Sequence, residues 1–297
     1  MRRPLAGVCT VATACAALMA ASCGSGPGRG LPGPAASAPR TGGADRADAA
    51  GRVERLTVRV VEVLPHDAKA FTQGLELDGN TLYESTGMAG RSSVRSSRPD
   101  GKGARKVALP TPLFGEGLTV LGPTLWQLTW RDGVAIERDA RTLAERRRVR
   151  YSGEGWGLCH QPARGRLVMS DGSAQLVFRD RRTFAKTGEI TVTAHDEPVT
   201  QLNELECVGD TVYANIWSSD QIMRIDANTG KVTGTIDASG LLTPREAERA
   251  DVLNGVAAVP GTDQFLITGK LWPKTFRVVF VPVPARARAV DDGGRHS

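Results

Sequence analysis

The chain has 297 residues, 40% of them hydrophobic and 5% aromatic, and a formal net charge of +6. Four of the six charges sit at the ends, with five Arg against two Asp in residues 1–50 and three Arg against two Asp in residues 285–297. The middle therefore lacks the basic surplus of a nucleic-acid binder, its hydrophobic content excludes wholesale disorder, and its about 230 residues suffice for one domain with a sizeable core.

Arg2 and Arg3 precede an uncharged apolar stretch over residues 5–22, and Ala20-Ala21-Ser22 leads into Cys23. Such a segment predicts a signal peptide cut at that cysteine. It resembles a bacterial lipoprotein signal, which predicts Cys23 as a lipid anchor at the outer face of the cytoplasmic membrane. An ordinary secretory signal predicts a secreted protein instead. Either way residues 1–23 lie outside the fold. Residues 24–52 are Gly, Pro, Ala and Ser with scattered charges, and predict a flexible linker. The domain is expected over 53–284, with a disordered tail at 285–297.

Within the domain one phrase recurs: a polar or aromatic residue, usually Gly, then an aliphatic. It stands at Gln73-Gly74-Leu75, Glu116-Gly117-Leu118, Trp156-Gly157-Leu158, Asn203-Glu204-Leu205 and Asn254-Gly255-Val256. The aliphatic positions are 43, 40, 47 and 51 residues apart. A second apolar run follows each, beginning at Leu82, Leu125, Leu167, Val212 and Phe265, and turn signals such as Asp132-Gly133 separate the runs. A strand–turn–strand unit of this size, repeated five times, predicts an all-β five-bladed β-propeller. Residues 53–63 supply a fourth strand at ring closure. Thr243–Asp251 suits a short helix, because Pro244 and Glu246 fit a first helical turn. The run Arg146-Arg147-Arg148 is expected in a connecting stretch.

Propellers bind ligands at one mouth of a central channel. The residues before the Gly position, Gln73, Glu116, Trp156, Asn203 and Asn254, vary and are mostly polar, which suggests convergence on a ligand. Five residues after each second run begins stand Gly87, Trp130, Gly172, Trp217 and Lys270. The two rings outline an aromatic pocket with one carboxylate, several amides and one ammonium. Cys159 and Cys207 belong to the domain. An oxidising compartment permits their pairing, and two buried thiols fit equally. There is no zinc-type Cys/His spacing, and no cofactor or metal is expected.

These segments resemble the plant and bacterial type of glutaminyl-peptide cyclotransferase from about Val60 to Val281. The resemblance is carried by Phe71-Thr72-Gln73-Gly74-Leu75, Phe114-Gly115-Glu116-Gly117-Leu118-Thr119, Leu202-Asn203-Glu204-Leu205-Glu206, Ala214-Asn215-Ile216-Trp217 and Thr268-Gly269-Lys270-Leu271-Trp272-Pro273. It implies a five-bladed, zinc-independent enzyme that cyclises the N-terminal Gln of a peptide or protein substrate, with Glu116 catalytic; a monomer is expected. It also implies that Phe71, Gln73, Trp130, Trp156, Asn203, Trp217 and Lys270 surround the substrate.

The reaction needs the α-amine to attack its own side-chain carboxamide and ammonia to leave. One carboxyl group can move both protons in turn, and aromatic surroundings are expected to raise its pKa. Lys270 is expected to stabilise the carboxamide oxygen, or to pair with Glu204 or Asp171. Asp171 itself reads as a turn-former. Two other classes fit the sequence. One is a lactonase-like metal-dependent propeller hydrolase, with Glu116, Asn203, Asn254 and Asp171 as hard oxygen ligands. The other is a non-catalytic binding propeller.

Overall fold

The computed structural model describes residues 53–283. The signal segment with Cys23, the linker and the tail at 285–297 lie outside the described residues. The described chain is all-β. It begins with β1 (Glu54–Pro65). A first four-stranded sheet follows in chain order: β2 (Thr72–Asp78), β3 (Thr81–Thr86), β4 (Ser93–Ser97) and β5 (Arg105–Ala108). The second holds β6 (Gly115–Leu121), β7 (Thr124–Thr129), β8 (Val134–Asp139) and β9 (Glu145–Arg150). The third holds β10 (Leu158–Gln161), β11 (Arg166–Met169), β12 (Gln175–Asp180) and β13 (Lys186–Thr191). A hairpin, β14 (Thr193–Ala194) and β15 (Glu197–Pro198), leads to β16 (Leu202–Val208), β17 (Thr211–Ile216), β18 (Gln221–Asp226) and β19 (Val232–Asp237). The helix α1 (Pro244–Ala247) precedes β20 (Leu253–Ala258), β21 (Gln264–Gly269) and β22 (Lys274–Pro282).

These last strands form an eight-stranded sheet ordered β16-β17-β18-β19-β1-β22-β21-β20. β1 joins its halves, pairing parallel to β19 and antiparallel to β22. The N-terminal strand thus ties the end of the chain to its middle, as expected of residues 53–63. The innermost strands β2, β6, β10, β16 and β20 touch one another in a closed circle.

Local chemistry explains much of this. Asp139, Asp180 and Asp226 end β8, β12 and β18, and each is followed three residues later by Thr. In each case Oδ1 accepts the backbone N–H of that Thr, at 2.8, 2.7 and 3.1 Å, an Asp-initiated turn that reverses the chain into the outer strand. Thr243 and Glu246 close a capping box on α1, which realises only the first turn of the helix read in the sequence. Arg146, Arg147 and Arg148 lie on the edge strand β9, not in a connector, and pair with Asp139, Glu137 and Glu145. Exposed charge on an edge strand discourages further pairing.

The core is divided into clusters between neighbouring sheets. Leu118, Leu125 and Val120 of the second sheet pack on Tyr83 and Val94 of the first. Trp126, a core residue rather than a pocket one, packs with Leu158, Leu167 and Phe184. Towards the centre the backbones approach so closely that a Cβ at Gly117 would lie 2.6 Å from Trp156 O, which is why Gly recurs in the phrase. Cys159 of β10 and Cys207 of β16 are disulfide-bonded, with Cα atoms 5.4 Å apart. The bond fastens two innermost strands and resolves the pairing that the sequence left open.

Glu204 stands where other repeats have Gly, and its side chain crosses the centre. Oε1 accepts Leu75 N–H at 3.1 Å and Oε2 accepts Val256 N–H at 2.8 Å. Burial pushes its carboxyl up to about 8 from 4.5, outweighing both hydrogen bonds, and raises Glu76 to about 7. A folded-state acid pKa raised above its unfolded value means the folded state holds the extra proton. Stability is therefore full below about pH 4.5 and falls as pH rises towards 8. Glu204→Gln removes that dependence but leaves one N–H poorly satisfied, at about 1–3 kcal/mol. We expect urea midpoints of the variant to lie below wild type at pH 4 and to meet or exceed it by pH 9, because the shift from 4.5 to about 8 outweighs the lost hydrogen bond once Glu204 must ionise. A constant gap between the two would contradict this.

Candidate active site

Four of the five innermost strands carry a register irregularity at the recurring phrase. Pairing slips between Thr72 and Gly74, Gly115 and Leu118, Leu202 and Leu205, and Leu253 and Val256. Such bulges re-aim side chains, here Gln73, Glu116, Asn203 and Asn254. In the third sheet Trp156 lies two residues before β10, outside the paired region. Trp130, Trp217 and Lys270 immediately follow β7, β17 and β21, each of which pairs with an innermost strand. The three indoles thus occupy strand-end loops rather than the strands themselves.

A cavity of about 450 Å³ is lined by Phe71, Gln73, Glu116, Trp130, Trp156, Asn203, Trp217 and Lys270. These eight residues read from the sequence line it together, whereas Asn254, Gly87 and Gly172 of the two rings do not. Phe114, Arg131 and Glu154 complete the wall, and the sequence reading did not single them out. Phe114 was visible only as the start of the Glu116 block. Glu154, between two glycines and two residues before Trp156, gave no periodic signal. Phe71, Phe114 and Trp130 form an aromatic train, with ring centroids 6.4 and 5.6 Å apart. Trp156 and Trp217 meet edge to face at 5.9 Å. Gly172 has φ +83°, and a Cβ there would lie 2.7 Å from the Trp156 ring, so this indole takes the space a side chain would need. Trp217 is 45% exposed and forms part of the rim.

Glu116 is 4% exposed. Gln73 Nε2 donates to its Oε1 at 2.8 Å, and Asn254 Nδ2 donates to Gln73 Oε1 at 3.2 Å. The relay fixes both the rotamer of Gln73 and the approach to the carboxyl. Burial raises the Glu116 carboxyl well above the usual range. The Lys270 ammonium opposes this and Glu154 adds to it. Burial likewise lowers Lys270, against the pull of Glu116 and Asp251. Lys270 Nζ also lies 4.9 Å from the Phe71 ring centroid, a cation–π contact. Its charged neighbours are therefore neither Glu204, occupied by Leu75 and Val256 N–H, nor Asp171. The latter accepts Ser173 N–H at 3.0 Å in a turn, as its sequence context suggested, and does not line the cavity. Asn203 Oδ1 is buried and finds no hydrogen-bond partner among the described residues, leaving an acceptor for a ligand N–H. Trp126 and Trp272 belong to the core.

Glu84, in β3, underpins one wall. It accepts Thr72 Oγ1 at 2.7 Å and pairs with His66 and Arg95. Despite the opposing effect of burial, these partners hold its carboxyl down at about 2, and Thr72 precedes Gln73 in the chain.

The β-sheet scaffold thus collects one buried carboxyl, one ammonium and three indoles around a single cavity. The chain belongs to the glutamine cyclotransferase family, whose model matches residues 35–280. It is similar to a glutaminyl-peptide cyclotransferase of Arabidopsis thaliana, at 37% identity over 236 residues, 77% of this chain and 73% of that protein. It is also similar to the crystal structure of Myxococcus xanthus glutaminyl cyclase, with a TM-score of 0.69 and 37% identity, covering 78% of this chain and all of that one.

Proposed function

We propose that this chain converts the N-terminal Gln of peptides or proteins to pyroglutamate and releases ammonia, on a five-bladed β-propeller with Glu116 as general acid and base. The observation that carries the mechanism is the buried Glu116 carboxyl, held by Gln73 at 2.8 Å inside a cavity shared with three indoles and Lys270. The closed circle of innermost strands and the two halves of the eight-stranded sheet support the propeller reading.

Nucleophile and electrophile belong to one residue, so the protein's first task is to fold that side chain into a five-membered arrangement. Trp130, Trp156 and Trp217 supply flat walls for it. Asn203 Oδ1 accepts an N–H of the substrate, and Gln73 keeps Glu116 aimed. Glu116 takes a proton from the α-amine as its nitrogen bonds to the side-chain carbonyl carbon. Lys270 offsets charge on the carbonyl oxygen. Glu116 then gives the proton to the departing nitrogen, the C–N bond breaks, and ammonia and the lactam leave. The carboxyl ends in its starting state.

The purified protein incubated with a Gln-initiated peptide is expected to give a product lighter by one ammonia, and the same rate after chelation. An unchanged peptide mass would refute the reading, and loss of activity on chelation would favour the metal-dependent hydrolase instead. Export and attachment through Cys23 are proposed from residues 1–23 alone, and a Cys23→Ala precursor that stays on membranes would count against them.

A further inference from the structure

We infer that Glu154 is a positioning residue, a single carboxylate that locks two of the three cavity indoles and so sets the space that receives the substrate's glutamine side chain. This rests on the cyclase reading above. Trp130 Nε1 and Trp156 Nε1 both donate to the same atom, Glu154 Oε2, at 2.8 and 3.0 Å. The other oxygen, Oε1, accepts Arg131 Nε at 2.9 Å. Arg131 also stacks on one of the two indoles, its guanidinium carbon 4.0 Å from the Trp130 ring centroid. Carboxylate, guanidinium and indole therefore form a closed clamp.

The clamp joins parts of the molecule that no strand pairing joins. Trp130 follows β7 of the second sheet, Trp156 precedes β10 of the third, and Glu154 lies in the connector between those sheets. An indole attached to a strand-end loop has two free side-chain torsions. One shared acceptor removes that freedom for two rings at once and fixes their mutual angle. Trp156 is further held from behind by the backbone at Gly172. Only the faces turned towards the cavity remain for a ligand.

Glu154 is poorly suited to proton transfer. Burial favours its neutral form, but the hydrogen bonds from Trp156, Arg131 and Trp130 outweigh it and hold the carboxyl below its ordinary range. Both oxygens are already accepting. Charge-assisted hydrogen bonds are about twice as strong as neutral ones, so an ionised Glu154 holds the rings better than Gln would. Positioning by walls acts on the bound substrate and the transition state alike. Its loss therefore appears in KM rather than kcat.

The test uses the full chain, wild type first, with a Gln-initiated peptide. If wild type makes no pyroglutamate, the cyclase reading fails, whatever the variants do. Given an active wild type, Glu154→Ala is expected to raise KM about tenfold and change kcat by no more than roughly twofold, the split of a residue removed from uniform binding. Glu154→Gln retains an oxygen for the indole N–H groups and should recover most of that loss. Unchanged KM in Glu154→Ala overturns the inference while leaving the cyclase reading intact. A hundredfold fall in kcat at constant KM also overturns it, because Glu154 would then act on the reacting atoms. A substrate-free readout is the indole ¹H–¹⁵N spectrum: both the Trp130 and Trp156 signals should move in Glu154→Ala, and unmoved signals contradict the clamp. Should Glu154→Ala fail to fold, Trp130→Phe deletes one of the same hydrogen bonds while keeping a ring. It is expected to raise KM in the same direction, and an unchanged KM there overturns the inference equally.

Discussion

Glu116→Gln is expected to slow pyroglutamate formation by about 10³-fold, within the range for removal of a general acid–base group, while the protein stays folded. The amide keeps an oxygen for Gln73 Nε2 to reach, so the relay from Asn254 through Gln73 survives. It cannot take a proton from the α-amine. Because burial raises the native carboxyl well above its usual range, ionising it costs the fold free energy that a neutral amide does not. At pH 8 the variant should therefore unfold at a denaturant concentration no lower than wild type. Full turnover by Glu116→Gln, measured by ammonia release, would remove Glu116 from the mechanism. The pH profile carries a further sign. Glu116 must be ionised to accept the proton, so activity rises with pH through its raised pKa. The acid limb is then expected above the ordinary carboxylate range.

Lys270→Met is expected to lower kcat by about 10²-fold with little change in KM, as when one stabilising donor is removed from a developing oxyanion. Met preserves most of the buried volume against Phe71 and removes the charge. Two shifts of the pH profile accompany the loss. Burial lowers Lys270 below the usual lysine range, and its ammonium must be charged to act, so wild-type activity falls early on the alkaline side. In Lys270→Met that limb disappears. The ammonium also holds Glu116 down, so the acid limb moves to higher pH in the variant. An unchanged kcat, or a profile that keeps both limbs in place, would show that Lys270 does not face the reacting carboxamide.

Both predictions rest on residues that were legible in the sequence as repeat-equivalent positions. The recurrence of Gln73, Glu116, Trp156, Asn203 and Asn254 before a Gly or its substitute marked one ring, and Trp130, Trp217 and Lys270 marked another. This worked because each repeat is read against the others, and a position that is polar and variable among otherwise similar repeats is not explained by packing. Short alternating runs and Asp- and Gly-containing turns likewise made an all-β chain evident, since strand period and turn chemistry are local properties.

The amino-acid order by itself thus determined the strands, their repetition and eight of the residues that reach the cavity, but not Phe114, Arg131 or Glu154. Only the tertiary structure decided how those residues face one another. The bulges that turn Gln73 and Glu116 inward arise from pairing between strands. The Cys159–Cys207 bond depends on two strands 48 residues apart in the chain lying side by side. Glu204 displays no repeat pattern that would announce its crossing to Leu75 and Val256. Glu154 is one acidic residue in a glycine-flanked loop until two sheets bring Trp130 and Trp156 to the same oxygen. Hydrogen-bond geometry and burial are through-space quantities set by closure of the whole ring, and no local pattern encodes them.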